Sequence, residues 1–383
     1  MFTEISVNNF KLFKERTVFG NLKPINLLTG VNGRGKSSFI QLLLLPKQAI
    51  LANRQIMDLL LDGEYVSLGN AIDVKNIETS REEPIVLVYC NDNVRAEFEY
   101  HVNEENNQVL EFVGIDMKVN NELTDVDGTT MEKLSRDHGL GLHGIQYVSA
   151  ERLGPKLYYA ITENDGYIGP KGEFTVSQLY AHKNDTVSDA YLDEICDMFP
   201  ELSREDISSN FTDQIEFWMS KMFKATHIDT AFQNEANVLT LKISTAQHVN
   251  DKFKPTNVGF GYTYILPIVV AGMIAKPGDT LVIENPEAHL HPSAQSIIGK
   301  YITVLANTGV QLFVESHSEH ILNSFRVCIK QGHLDNGNIN VMFFEDDNEL
   351  YYRNVAIDRN GKIESWPSFF YDQEEQDLDI IMS

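Results

Sequence analysis

Residues 25–46, INLLTGVNGRGKSSFIQLLLLP, decide the fold. INLLT is a short buried-strand candidate, and SSFIQLLLLP reads as an apolar helix that ends at Pro46. Between them stands Gly30-Val31-Asn32-Gly33-Arg34-Gly35-Lys36-Ser37, the pattern G-x-x-x-x-G-K-[ST] in its strand, loop and helix setting. Glycines are needed there because consecutive amide groups must turn inward around phosphate oxygens, through backbone angles that a Cβ resists. The helix start adds a positive dipole end. Lys36 would neutralise β- and γ-phosphate charge, and the Ser37 hydroxyl would ligate Mg²⁺. The residues expected to hold a nucleotide are Gly30, Asn32, Gly33, Arg34, Gly35, Lys36, Ser37 and Ser38.

Such a loop works with a distant acid at the end of an apolar strand, which holds the magnesium through water. DTLVIENPEAHLHPSAQ, residues 279–295, supplies Leu281-Val282-Ile283 ending in Glu284, and the next residue is an amide, Asn285. A second apolar strand, VQLFVES, leads to Glu315-Ser316-His317, where a neutral imidazole would hydrogen-bond a γ-phosphate or the attacking water. His289 and His291 with His317 and His320 are the alternative of a zinc site, although neither pair has the i, i+4 spacing and no cysteine is near. Ser316 beside His317 also offers a nucleophile and a base, but sequence neighbours seldom face each other at catalytic distance.

Outside these segments the chain of 383 residues carries 55 acids against 31 bases, a formal charge of −24 that opposes non-specific binding to nucleic acid. A DNA-facing surface would have to be local or supplied by a partner. Cys90, Cys196 and Cys328 have no metal or redox spacing and fit buried thiols in a reducing cytoplasm. The start, MFTEISVNNFKLFK, lacks the apolar region of a signal peptide, and the apolar segment YILPIVVAGMIA is too short to span a bilayer, so no membrane association is expected.

FTEISVNNF, PIVLVYC, VRAEFEYHV and VLEFVGIDMKV predict closely spaced strands of an antiparallel meander. Residues 185–232 switch to helical spacing, with SDAYLDEICDMF, a capping box at Ser203 and Asp206, and FTDQIEFWMSKMF forming a helical insertion. After VLTLKIS the order of strands and helices implies parallel crossover units. The expected division is an N-terminal lobe over 1–150, a middle segment over 151–255 and a C-terminal lobe over 256–383. The end, YDQEEQDLDIIMS, carries acids and no base from Asp372 onward and reads as a solvated or partner-facing tail.

GVNGRGKSS, NVGFGYTYILPI, LVIENPEAHLHP and ESHSEHILNSFR together resemble the ABC-type ATPase heads of the branch that includes the SMC, RecF and OLD proteins. More closely, with YVSAERLGPKLYY, IGPKGEF and WPSFFYDQEEQDL, the whole chain resembles prokaryotic stand-alone AAA-type ATPases of unassigned function. The resemblance implies an α/β fold, a P-loop NTPase head with a mixed central sheet, an antiparallel β subdomain and a helical insertion. It implies ATP and Mg²⁺ as cofactors and a head-to-tail homodimer or higher oligomer. In that assembly each ATP lies between one cradle and a partner's signature segment, here Asn257-Val258-Gly259-Phe260-Gly261 at a helix start, so Asn257, Gly259 and Gly261 join the nucleotide set. His317 matches the switch histidine, and AHLHP the segment that crosses between subunits.

Glu284 matches the magnesium-binding acid, which places Asn285 where the water-polarising glutamate of the family stands. An amide positions water but takes no proton, so general-base help of about 10² to 10⁴ would be missing unless Glu287 or His317 substitutes. The implied activity is a slow Mg-dependent ATPase acting on a separately encoded effector, a nuclease or toxin, in anti-phage defence or DNA maintenance. The alternative is a nucleotide-gated switch with negligible turnover. A P-loop kinase would leave the signature-like and switch-histidine segments unexplained. Glu151, Arg152 and Lys156 in SAERLGPK are expected either to contact nucleotide, nucleic acid or a partner or to form a structural turn, and Lys11 and Phe13 to flank the adenine.

Overall fold

The computed structural model describes all residues except 53–56, 81, 104–106, 127–129, 246–247, 346–350, 369, 372 and 383. The alternating N-terminal segment forms β1 (Glu4–Asn8) and β2 (Thr17–Phe19), followed by β3 (Ile25–Gly30) and α1 (Lys36–Ala52). After β4 (Leu59–Leu60) and α2 (Ala71–Val74) come β5 (Ile85–Cys90), β6 (Val94–Val102), β7 (Val109–Val119) and β8 (Glu122–Leu123). The chain then makes α3 (Met131–Asp137), β9 (Ile145–Val148), α4 (Thr175–Ala181), α5 (Asp189–Met198) and α6 (Phe211–Phe223). A meander of β10 (His227–Gln233), β11 (Val238–Thr245) and β12 (His248–Phe253) precedes α7 (Phe260–Ile274). Strand and helix then alternate: β13 (Thr280–Glu284), α8 (Pro292–Asn307), β14 (Gln311–Glu315), α9 (Glu319–Gln331), β15 (Ile339–Phe344), β16 (Tyr352–Val355) and α10 (Gln373–Met382).

The central sheet runs β16-β15-β3-β14-β13-β9, parallel throughout except for the antiparallel edge strand β16. It is therefore the mixed sheet expected of a P-loop head. Its strands alternate between two cores, as the period of two demands. Leu27, Leu281, Ile283, Leu312 and Val314 face a core built with α4 to α9. Leu28, Val282, Phe313 and Met342 face the other, shared with α1 and the antiparallel sheet of β1, β2 and β4 to β8.

α1 lies between two sheets, which explains why it is apolar on nearly every side. It does not stop at Pro46 as its sequence predicts. Proline has no amide hydrogen, so the Leu42 carbonyl four residues earlier loses its helical donor; the Tyr89 hydroxyl, reaching over from β5, supplies one at 2.6 Å. The extra turns are then anchored by Gln48, whose side chain accepts from the amides of Tyr65 and Val66 at 2.9 and 3.0 Å and donates to the Leu60 carbonyl at 2.9 Å.

The helical insertion packs on the domain core: Trp218 of α6 is fully buried, edge-on to Tyr301 of α8 with ring centroids 4.9 Å apart. Ser203 and Asp206 form no capping box, because their segment is a turn outside any helix. α6 starts later, where Asn210 accepts from the amides of Thr212 and Asp213, and α5 is capped by Ser188. The C-terminal stretch after 372, expected to be a solvated or partner-facing tail, is helical; Asp372 itself lies outside the described residues. Among the described residues no helix is long and apolar enough to cross a membrane.

Candidate functional site

β3 delivers the glycine-rich loop to the carboxyl end of the central sheet, and α1 begins at Lys36. Gly30, Gly33 and Gly35 have φ of 120°, 77° and 107°, the left-handed half of backbone space. At Gly30 the requirement is absolute, since a Cβ would overlap the carbonyl oxygen of Phe344 in the neighbouring strand β15. Gly35 is backed by Phe13, whose ring would lie 3.0 Å from a Cβ placed there. Asn32, Gly33 and Ser37 face solvent, Arg34 is half-buried and Ser38 is buried in the first turn of α1.

The Lys36 ammonium curls over its own loop, donating to the carbonyls of Gly30 at 2.9 Å and Val31 at 3.0 Å. Burial lowers its pKa, and the Glu315 carboxylate pulls it back up. The cradle thus combines three glycines of positive φ, a helix start and one ammonium, a chemistry that fits phosphate oxygens.

The acids arrive by sheet register. β14 lies beside β3, and β13 beside β14, with Glu284 directly opposite Glu315 and Glu315 opposite Leu28. All three strands are parallel, so the cradle, Glu315 and Glu284 share one edge. The Glu284 carboxylate accepts from the Ala150 amide at 3.0 Å and from the Tyr147 hydroxyl. Burial nonetheless raises its pKa, against those hydrogen bonds and the nearby Arg152 charge. Glu315 is pushed up to about 7, first by burial and then by the Glu284 charge. A cation at this edge would relieve both carboxylates. Mg²⁺ keeps most of its waters and takes one or two protein ligands beside phosphate, which suits Glu284 and the exposed Ser37 hydroxyl. Among the described residues no group of three or more His, Cys, Asp or Glu side chains could hold a metal by itself.

Past Glu284 the chain makes a left-handed turn at Asn285, φ 44°, whose amide donates to the Glu315 carbonyl at 2.8 Å. The Asn285 Oδ1 is buried with no hydrogen-bond partner. The turn is clamped from the opposite side by Arg152, itself only 4 % exposed. Its Nη1 donates to the carbonyls of Ser149 at 2.9 Å and Glu284 at 2.7 Å, and its Nη2 to that of Asn285 at 2.7 Å. Burial pushes the guanidinium down to about 10, which leaves it charged at neutral pH. Of the SAERLGPK residues, then, Arg152 braces the acid-bearing strand, while Glu151 pairs at the surface with Lys171 at 2.9 Å and the Lys156 amide donates to the Tyr159 hydroxyl at 3.3 Å.

Glu287 spends both oxygens on the neighbouring turn: Oε2 accepts from the Ser316 hydroxyl and Oε1 from the His317 amide, each at 2.8 Å. It therefore fixes the backbone of His317, the residue expected to be the switch histidine. Burial and the Lys36 charge lower the His317 pKa, with Glu287 opposing, so the imidazole is held neutral. Ser316, committed to Glu287, is no nucleophile for His317.

The signature-like segment opens α7 as expected, with Gly259 as its N-cap and Asn257 ending a preceding 3₁₀ turn. Gly261 allows close approach, since a Cβ there would lie 2.9 Å from the His289 carbonyl. His289 packs against the rings of Phe260 and Tyr264, and His291 caps α8 by accepting from the Ser293 amide, so neither faces His317 or His320 as a zinc partner. The adenine expectation fails for Phe13: it is fully buried, edge-on to Phe19 and Tyr351, and offers no free face for stacking. Lys11 donates to Gln41 at 2.6 Å.

Sequence reasoning passed over Glu315, although two apolar strands each ending in an acid were in view. It assigned no role to Tyr371, whose hydroxyl reaches this same edge from the far end of the chain.

A cradle and an acid-ended strand meet at one sheet edge, and a family model described as AAA ATPase domain matches residues 1–322. The chain belongs to the AAA ATPase domain family. It is an ATP-binding ATPase. Residues 334–381 match a second family model, a protein of unknown function (DUF3696). No curated protein sequence matches the chain. Among solved structures, an SMC head bound to the C-winged helix domain of ScpA shares 9 % identity, covering 93 % of this chain and 98 % of that one with a TM-score of 0.50. The SMC head domain from Thermotoga maritima shares 11 %, covering 93 % and 99 % with a TM-score of 0.43. At such identities the first of these likenesses speaks for the fold alone.

Proposed function

We propose that this AAA ATPase binds Mg-ATP between residues 30–38 and Glu284 and hydrolyses it slowly, as a head-to-tail homodimer or higher oligomer that drives a separately encoded effector. The carrying observation is Asn285 beside Glu284. The position next to the metal-binding acid holds an amide in place of a carboxylate, which can hydrogen-bond water without taking its proton.

When bound, Mg²⁺ would neutralise phosphate charge and polarise the transferring phosphoryl group. The chain's own residues do the rest. The cradle amides and Lys36 would hold the triphosphate, Ser37 and Glu284 would hold the metal, and neutral His317 would donate its N–H to a γ-phosphate oxygen or accept from the attacking water. The proton goes to His317, whose imidazole is held neutral. Asn257, Gly259 and Gly261 present the start of α7 to the nucleotide of a partner copy.

The effector is a nuclease or toxin in anti-phage defence or DNA maintenance, with nucleic acid reached through it or through a local basic patch, in the cytoplasm. The SMC head solved with a domain of ScpA is a precedent for a partner bound to this fold. A charge of −24 favours a protein partner over direct DNA binding.

The same Asn285 favours a second reading, a nucleotide-gated switch with negligible turnover. Steady-state phosphate release separates the two. The enzyme reading expects wild type well above Lys36→Ala, and Asn285→Glu faster by about 10². If wild type equals the Lys36→Ala background while Asn285→Glu turns over, the switch reading stands.

A further inference from the structure

The C-terminal segment WPSFFYD is unused by the ATPase mechanism, yet one of its residues ends at the nucleotide edge. β3 and β14 are joined by ladder hydrogen bonds as far as the Ser316 amide, which donates to the Leu28 carbonyl at 3.0 Å. Beyond it the strands part, one into the cradle at Gly30 and the other through His317 into α9. The next link across the gap is the Tyr371 hydroxyl, 2.7 Å from the Thr29 hydroxyl and 3.2 Å from the Ser316 carbonyl. A carbonyl only accepts, so Tyr371 donates to Ser316 and the Thr29 hydroxyl donates to Tyr371.

This link is built. Phe370 is 1 % exposed and stands edge-on to Phe343 of β15, with centroids 5.1 Å apart. Trp366 packs on Phe370 at 5.3 Å and is covered by the Arg326 guanidinium at 5.4 Å, while Arg326 Nε donates to the Gly361 carbonyl at 2.8 Å. Tyr371 has φ of 55°, a costly conformation for a bulky side chain, which persists only where the surroundings enforce it and often marks a functional position. Burial raises the phenol's pKa well above its usual range, so the donor stays protonated.

We infer that Tyr371 is a positioning residue of the ATPase site, which locks the Thr29 end of the cradle strand to the Ser316–His317 turn so that phosphate cradle and switch histidine keep one spacing. Glu287 grips that turn from the β13 side, and Tyr371 closes it from the β3 side. The residue matched by the C-terminal family thereby completes a site that the AAA ATPase domain alone leaves open between β3 and β14. This inference rests on the proposed hydrolysis for its kinetic arm only.

Tyr371→Phe keeps the ring and removes both hydrogen bonds; Thr29→Val removes the partner; Thr29→Ser keeps a hydroxyl. For each, Mg-ATP affinity is measured with a fluorescent ATP analogue, turnover by phosphate release, and amide exchange over residues 28–38 and 314–320 without nucleotide. Tyr371→Phe and Thr29→Val are each expected to lower kcat about tenfold with affinity within about threefold, the double variant to fall no further, and Thr29→Ser to retain turnover. Exchange at 314–320 rises in both hydroxyl-deleting variants. Unchanged kcat and unchanged exchange, or losses in the double variant that multiply, would overturn the link. Absence of ATP binding or turnover in wild type would remove the ATPase proposal, and the exchange arm would still decide for or against Tyr371.

Discussion

The cradle and the acidic edge lie on neighbouring strands but are held in opposite ways. The cradle is fixed by backbone sterics: Gly30 fits because it has no side chain, wedged against Phe344. The acidic edge is fixed by side chains that reach backbone, Arg152 on three carbonyls and Glu287 on the Ser316–His317 turn. The first arrangement needs only residues close in sequence and one neighbouring strand. The second needs a guanidinium 132 residues from the Glu284 carbonyl it holds, a carboxylate 29 residues from Ser316, and a network with no member missing.

The sharpest way to break this contrast is at the glycines. Gly30→Ala should lose about 4 kcal/mol or more, enough to prevent accumulation of folded protein, while Gly33→Ala, left-handed but with open space around it, should lose about 1 kcal/mol. Urea denaturation midpoints test both, and equal losses would mean that φ rather than steric overlap sets the cost. On the other side, Arg152→Met should destabilise by about 3 kcal/mol, because it strips buried carbonyls of their donors.

A third substitution separates fold from function within the cradle. Lys36→Met should leave the melting temperature unchanged or raised, since burial already disfavours the ammonium, yet weaken Mg-ATP binding by about 10- to 100-fold, the range for hydrogen bonds to a charged group. The smallest effect is electrostatic. Because the Glu315 pKa rises to about 7 on folding, the folded protein holds more protons than the unfolded one between the ordinary carboxylate range and pH 7. Its contribution to stability therefore falls as pH rises across that window. Glu315→Gln should flatten that part of the melting temperature's pH dependence.

The same contrast explains what could be read in the sequence. The cradle was legible because its pattern is contiguous and its chemistry is carried by residue type. The sheet strands were legible from apolar runs such as LVIE and LFVE, and the start of α7 from its glycines. Pro46 misled because the local rule is right about the lost amide and silent about Tyr89, which meets the freed carbonyl from another sheet. Phe13 misled because an aromatic near a nucleotide loop invites stacking, whereas two sheets close over it. Arg152 and Tyr371 act 132 and 342 residues away from the backbone or side chains they hold, at Glu284 and Thr29, and no local pattern announces such a contact.

The proposed hydrolysis depends on the cradle and the Glu284 carboxylate gripping one magnesium-bound triphosphate between them. Calorimetric titration of ATP into wild type and Glu284→Gln, with magnesium and again in EDTA, tests that directly. Saturable heat in wild type with magnesium is expected, weakened about tenfold by Glu284→Gln in magnesium and unaffected by it in EDTA. No heat beyond the buffer blank, or the same affinity for both proteins in magnesium, would contradict it.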